Sequence, residues 1–187
     1  LGFVLPDGEQ TFPKWTLLEG ATFLTSLGHS RTPSHPRALS DAFQYLIEDT
    51  SVRYIFTGKL GIDSINDFRP EDYRQRIVEA SRVLNDANAD ISAFRDRGGK
   101  LILLHGTADE LITPYNTIDY YRRLVRHHGQ AALDRFVRFY LVPGYGHGVG
   151  IFDARWNALA VLDAWVTRDP APGTLTAVDG NRGAHPT

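Results

Sequence analysis

The stretch Lys100-Leu-Ile-Leu-Leu-His-Gly-Thr-Ala-Asp109 decides the fold of this chain. Its first half is a continuous apolar run, which is typical of a strand buried on both faces of a parallel sheet. The residues from Gly106 to Pro114 predict a loop, and Gly98-Gly99 marks a break before the strand. The stretch therefore predicts a buried strand that ends in a loop bearing a carboxylate.

A similar arrangement follows downstream. Residues 136–142 predict a second apolar strand, and Pro143-Gly-Tyr-Gly-His147-Gly-Val-Gly150 predicts a glycine-rich loop. A helix is predicted over 116–128, with Asn116 as its cap, and an amphipathic helix over 154–167. Alternating strands and helices indicate an α/β fold with parallel strands joined by right-handed crossovers.

The two loops bring an acid and a base to one edge of the predicted sheet. Asp109 precedes His147 by 38 residues, and both follow strands whose carboxyl ends share that edge. A hydrolytic triad needs a histidine base and a carboxylate that fixes its tautomer, and α/β hydrolases order them nucleophile, acid, base. A lone Asp here is more often a cap and a lone His more often merely exposed, but the joint pattern favours catalysis.

The nucleophile of such a triad is missing from the pattern. The sequence has no G-x-S-x-G motif, and its nearest candidate, Gly28-His-Ser30-Arg-Thr32, lacks the second glycine and follows no predicted strand. We therefore expect the serine before Leu1 and no esterase activity from this chain alone. The chain has no Met, which indicates either a piece of a longer protein or a sequence from which modified methionines are omitted.

The first half of the chain is less regular. Residues 1–37 are rich in turn formers, with a strand or hairpin at 2–5. Helical spacing is predicted over 38–48, a short strand or irregular stretch over 52–57, a helix over 70–86 opened by Pro70, and a helical turn over 91–97.

Composition excludes several classes of function. The 187 residues are 42% hydrophobic and 22% charged, with a net charge of −2, so nothing points to a nucleic-acid or membrane partner. The absence of Cys excludes thiolate nucleophiles and Cys-ligated zinc. His127-His128 sits at a predicted helix end, where the dipole favours a cation, and predicts no metal site.

Several segments together resemble the tannase and feruloyl esterase family of α/β hydrolases. The resemblance is strong over about 90–168 and weaker over 36–90. Three segments carry most of it: Phe94-Arg-Asp-Arg-Gly-Gly-Lys through Asp109, Ile112-Thr-Pro-Tyr-Asn-Thr-Ile-Asp-Tyr-Tyr121, and Phe139-Tyr-Leu-Val-Pro-Gly-Tyr-Gly-His147. The segments 154–163 and 38–43 are also similar to the family. It implies hydrolysis of esters of hydroxylated aromatic acids such as ferulate, gallate or chlorogenate. It makes Asp109 the triad acid and His147 the base, and it favours a secreted or periplasmic protein.

The resemblance also implies a domain organisation. Residues 1–88 would hold the end of a lid and the return to the core, residues 89–168 the C-terminal α/β-hydrolase core, and residues 169–187 a coil tail. The serine, the oxyanion hole and most of the lid would lie in the upstream part of the same protein. The family's structural calcium is held by the lid, so we expect no cofactor in this chain.

One position departs from the family. Members commonly carry a Cys directly after the histidine, bonded to a Cys beside the serine, whereas Gly148 stands here. The alignment of base and nucleophile would then depend on packing alone. Two alternatives stay open: another α/β hydrolase, such as a peptidase of the prolyl oligopeptidase type, and a non-catalytic α/β domain that binds a ligand or partner.

Overall fold

The computed structural model describes residues 41–84, 88–148, 152–168 and 170–181. They form two compact units, residues 41–84 and the described residues from Asn88 onward. The turns, the strand and the helix start predicted within residues 1–40 lie outside the described residues. The assignment of residues 1–88 to a lid and a return segment stays a prediction.

The smaller unit begins with two consecutive helices. Helix α1, Phe43–Thr50, runs directly into a π-helix, Ser51–Thr57, which ends at Gly58 with φ +67°. The strand or irregular stretch predicted over 52–57 is therefore wrong. Within it, Thr57 donates its hydroxyl to the Val52 carbonyl at 2.8 Å, five residues earlier, which is the spacing of a π turn.

A buried carboxylate holds the rest of this unit to α1. Asp49 is 1% exposed and accepts hydrogen bonds from Arg53 Nε at 2.8 Å and from the Ser64 hydroxyl at 2.6 Å. A 3-10 turn, Pro70–Tyr73, then leads into α2, Arg74–Leu84, in agreement with the predicted helix. The Asp49 contacts tie residue 64 back to α1 across a separation of 15 residues.

The larger unit contains the predicted parallel pair of strands. Its first elements are α3 (Ser92–Asp96), β1 (Leu101–Gly106), α4 (Pro114–His128), α5 (Gln130–Leu133) and β2 (Val137–Val142). Strands β1 and β2 pair in parallel, from Leu101 opposite Val137 to Gly106 opposite Val142. Residues 101–105 are half-buried rather than fully buried as predicted, because the sheet has only these two strands among the described residues.

The core of this unit lies between one face of the sheet and α4. Four residues form the buried cluster: Leu124, Leu133, Phe136 and Val137. Leu101, Leu103, Tyr121 and Val125 pack against it, so α4 turns the side chains of Tyr121, Leu124 and Val125 toward the sheet. A second helix, α6 (Ala158–Arg168), contributes Trp165, which is 1% exposed and has the cations of Lys100 and Arg138 each 5.5 Å from its ring.

Helix α4 starts two residues earlier than predicted. Pro114 occupies its first position and Thr113 is the cap, whose hydroxyl accepts from the Tyr115 N–H at 3.4 Å. Asn116 lies inside the helix, so its predicted role as cap is wrong. Proline suits the first turn because its missing N–H would have no partner within the helix there.

The C-terminal region also departs from prediction. Residues Ala154–Arg155 form a short strand, β3, and α6 begins only at Ala158, where Asn157 accepts from the Ala160 N–H at 3.1 Å. The tail, predicted as coil, contains β4 (Val178–Asp179), which pairs antiparallel with β3. None of the helices in the described segments combines the length and apolarity needed to cross a membrane.

Candidate active site

The parallel register of β1 and β2 brings two loops side by side. We call residues 107–113, after β1, the acid loop, and residues 143–148, after β2, the base loop. Gly106 and Val142 are register partners at the last step of the ladder, so both loops leave the sheet at the same edge. This edge is formed by the carboxyl ends of the strands, where open parallel sheets commonly hold their active sites.

Three hydrogen bonds join the loops to each other and to the strands. The Thr107 N–H donates to the Val142 carbonyl and the Ala108 N–H to the Tyr145 carbonyl, each at 3.0 Å. The Gly144 N–H donates to the Thr107 hydroxyl, also at 3.0 Å. Gly106 allows this approach, because a side chain there would overlap the Tyr145 carbonyl.

Asp109 is fixed within the acid loop by backbone donors. Its side chain is 7% exposed, and its Oδ1 accepts from the N–H groups of Leu111 at 2.9 Å and Ile112 at 2.8 Å. Its Oδ2 lies 3.0 Å from His147 Nδ1. The carboxylate therefore has one oxygen committed to its own loop and the other directed at the histidine.

His147 meets Asp109 through one ring nitrogen and leaves the other available. A carboxylate acceptor places the proton on Nδ1, so in the neutral ring Nε2 carries the lone pair of a base. The side chain is 47% exposed, and Nε2 makes no hydrogen bond to any residue that the structure describes. Gly144 and Gly148, with φ of +72° and +78°, make the turns on either side of the histidine.

A second histidine, His105, also contacts Asp109, although the sequence pattern predicted no role for it. Its Nε2 lies 3.0 Å from the Ile112 carbonyl and 3.4 Å from Asp109 Oδ2, and its Nδ1 lies 2.7 Å from the Thr117 hydroxyl. His105 opens the His-Gly-x-x-Asp pattern, which was the one available signal. Glu110, next to Asp109 in the same turn, is also buried, at 7% exposed.

The structure thus brings the two predicted site residues together, and it leaves the nucleophile untested. Ser30, the weak candidate, lies outside the described residues. Among the residues that the structure describes, no group of three or more His, Asp or Glu side chains is arranged to hold a metal ion. The histidines at the end of α4 contact other groups: His128 Nε2 lies 3.1 Å from the Ala89 carbonyl and His127 Nε2 lies 3.4 Å from Asp90.

Comparison with known proteins gives consistent matches. The model of the family described as tannase and feruloyl esterase matches residues 3–185. An uncharacterized esterase of Agrobacterium fabrum is 35% identical over 188 residues, which cover 97% of this chain and 33% of the relative. A probable feruloyl esterase of Arthroderma benhamiae is 39% identical over 113 residues, covering 58% of this chain and 21% of the relative.

A solved structure supports the same fold. The crystal structure of feruloyl esterase B from Aspergillus oryzae superposes with a TM-score of 0.70 at 20% identity, over 91% of this chain and 35% of that one. The chain accordingly has the fold of these α/β-hydrolase esterases. It spans about a third or less of the length of each of these relatives.

Proposed function

The chain belongs to the tannase and feruloyl esterase family, and we propose that it carries the acid and the base of a serine carboxylic-ester hydrolase. The observation that supports this most directly is the 3.0 Å contact between Asp109 Oδ2 and His147 Nδ1. The nucleophilic serine and the oxyanion hole are proposed to lie in the part of the same protein that precedes Leu1. In this proposal the chain is the C-terminal portion of that protein, and residues 1–88 include the end of its lid.

In the proposed mechanism, His147 Nε2 takes the proton of the serine hydroxyl as its oxygen attacks the ester carbonyl. His147 then gives that proton to the leaving alcohol as the ester C–O bond breaks, which leaves an acyl-serine. Water attacks the acyl group, His147 accepts the water's proton, and the serine regains it as the acid departs. Asp109 keeps Nδ1 protonated throughout and stabilises the imidazolium that forms twice in each cycle.

The substrates we propose are esters of hydroxylated aromatic acids, of the feruloyl, galloyl or chlorogenate type. The family description and the names of the feruloyl esterase relatives support this class. Membership of the family favours an ester hydrolase over a peptidase of the prolyl oligopeptidase type. We also propose that the protein is exported to the periplasm or the medium. This part of the proposal rests on family membership alone.

The test uses the complete protein, meaning this chain together with the segment that precedes it. Asp109→Asn should lower kcat/KM for methyl ferulate by about 10⁴-fold and His147→Gln by about 10⁶-fold, as loss of the acid or of the base does in serine hydrolases. Matched controls come from the exposed pair His127 and Asp90, 3.4 Å apart in the same unit. Asp90→Asn and His127→Gln should leave activity within about threefold of wild type, since exposed pairs contribute little.

A serine-directed organophosphonate supplies the second measurement. It should label the complete protein at one serine before Leu1, and His147→Gln should abolish the labelling. Full activity in Asp109→Asn would overturn the proposal, and so would a natural protein with no reactive upstream serine. That second outcome would favour the non-catalytic binding domain.

A further inference from the structure

His105 occupies an unusual place beside the acid loop, because its side chain contacts the loop at Asp109 and at Ile112 and also contacts helix α4. Its side chain is 10% exposed and lies at the last step but one of β1. Its Nε2 faces the Ile112 carbonyl at 3.0 Å, near the far end of the loop. Its Nδ1 faces the hydroxyl of Thr117 on α4 at 2.7 Å.

These contacts define the tautomer of His105. The Ile112 carbonyl can only accept a hydrogen bond, so Nε2 carries a proton. In the neutral ring Nδ1 must then accept, and the Thr117 hydroxyl is the donor that serves it. The ring is therefore held in one orientation, with its N–H directed into the acid loop.

The same nitrogen, Nε2, lies 3.4 Å from Asp109 Oδ2, the oxygen that accepts from His147. The other oxygen, Oδ1, already accepts from the Leu111 and Ile112 N–H groups. His105 thus holds the acid loop at the Ile112 carbonyl while Asp109 holds it at the Ile112 N–H. Any rotation of the carboxylate away from His147 would have to break this set of contacts.

We propose that His105 is a positioning residue, which sets the orientation of Asp109 and through it the orientation of His147. This inference rests on the proposed catalytic roles of Asp109 and His147. His105 itself touches neither substrate nor nucleophile in this account. Its effect should therefore appear in the chemical step and in the His147–Asp109 hydrogen bond, and much less in substrate binding.

Two substitutions of His105 in the complete protein distinguish the role of Nε2 from the role of Nδ1. Glutamine places an amide N–H near the position of Nε2, whereas asparagine reaches only the position of Nδ1. We expect His105→Asn to lower kcat for methyl ferulate by roughly 10- to 100-fold, the range that loss of an orienting partner costs in metal sites. KM should change by less than about threefold, and His105→Gln should restore most of kcat.

The His147–Asp109 bond gives an independent readout. In wild type the Nδ1 proton of His147 should give a downfield signal in the proton NMR spectrum, assigned by its loss in His147→Gln. The signal should shift or broaden in His105→Asn and return in His105→Gln. A purely structural role would instead impair both variants to the same extent and would leave the signal of the folded fraction unchanged, which would overturn the inference.

A second variant covers the case in which His105→Asn does not fold. Thr117→Val removes only the partner of Nδ1 and should lower kcat with the same shift of the His147 signal. Wild-type kcat and an unshifted signal in Thr117→Val would contradict the inference. If Asp109→Asn abolishes activity while the His105 variants match wild type, only this inference fails. If Asp109→Asn is fully active, the proposed function fails as well.

Discussion

At the scale of single residues, the site depends on how closely two backbone segments approach. Gly106 ends β1 next to the base loop, where a Cβ would overlap the Tyr145 carbonyl oxygen and come within 2.9 Å of the Gly146 carbonyl oxygen. Both oxygens belong to backbone, which cannot swing aside as a flexible side chain can. The space that the absent side chain leaves is therefore what lets the acid loop and the base loop hydrogen-bond to each other.

Gly106→Ala tests this close approach. We expect the free energy of unfolding to fall by about 1–3 kcal/mol, the usual cost of forcing a methyl group into occupied space. The bond between the Ala108 N–H and the Tyr145 carbonyl should also weaken, which amide hydrogen exchange at Ala108 would report. Gly173→Ala is the matched control, since nothing lies within 4 Å of the place that its Cβ would take and its φ is not in the left-handed region.

Urea denaturation of wild type and both variants measures the difference. Equal stability of Gly106→Ala and Gly173→Ala would show that the base loop shifts without cost.

The sequence could point to Asp109 and His147, because their types and their order along the chain follow a chemical pattern. It could not point to the Tyr145 carbonyl above Gly106, because that contact joins residues far apart along the chain.

At the scale of elements, the regular segments were predictable where their signals are local. Helices 70–86 and 116–128 and the strands after Lys100 and Phe136 were predicted within a few residues of their observed bounds. The π-helix Ser51–Thr57 was missed because its short apolar run has no distinct helical period. Strand β4 was missed because two residues carry no periodicity, and it forms only by pairing with β3.

The start of α4 provides a test between the predicted cap and the observed one. Thr113→Ala removes the hydroxyl that accepts from Tyr115 N–H, and Thr113 is fully buried. We expect it to lower the free energy of unfolding by about 1 kcal/mol, which is typical for loss of a cap. Asn116→Ala should be neutral or slightly stabilising, because alanine has the higher helix propensity.

Thermal or urea unfolding of the two variants side by side is the measurement. The opposite order of stabilities would mean that the helix starts at Asn116 in solution, as the sequence pattern predicts. The outcome also concerns the site. Thr113 is the last residue of the acid loop, so a helix that started later would lengthen the loop that holds Asp109.

At the scale of the larger unit, the tail is docked rather than loose. The Tyr140 hydroxyl on β2 lies 2.8 Å from the Gly173 carbonyl and 3.1 Å from the Pro172 carbonyl, and Arg138 Nε donates to Pro172 at 3.0 Å. Farther on, Asp179 accepts from the Asp153 N–H at 3.0 Å. The tail therefore contacts β2, which precedes the base loop, and then β3, which follows that loop.

Docking of the tail should depend on the protonation of Tyr140. Burial raises the pKa of the Tyr140 hydroxyl above its ordinary 10.0, while the Arg138 guanidinium opposes this with a smaller effect. A raised folded-state pKa means that the neutral phenol is favoured in the folded protein. The contribution of the phenol to stability is thus complete below its ordinary pKa and is lost as pH rises through the raised one. Deprotonation also removes the proton that the Tyr140 phenol donates to the Pro172 and Gly173 carbonyls.

We expect the tail to undock above about pH 10, in a step that Tyr140→Phe removes, because phenylalanine has no proton to lose there. Amide hydrogen exchange at Gly180, whose N–H donates to the Asp153 carbonyl, would follow the release of the β3–β4 pair. Exchange rates must first be corrected for their intrinsic rise with pH. Protection that falls alike in wild type and in Tyr140→Phe would mean that another group releases the tail. Protection that persists in wild type at high pH would mean that the β3–β4 contacts hold the tail without the Tyr140 hydroxyl.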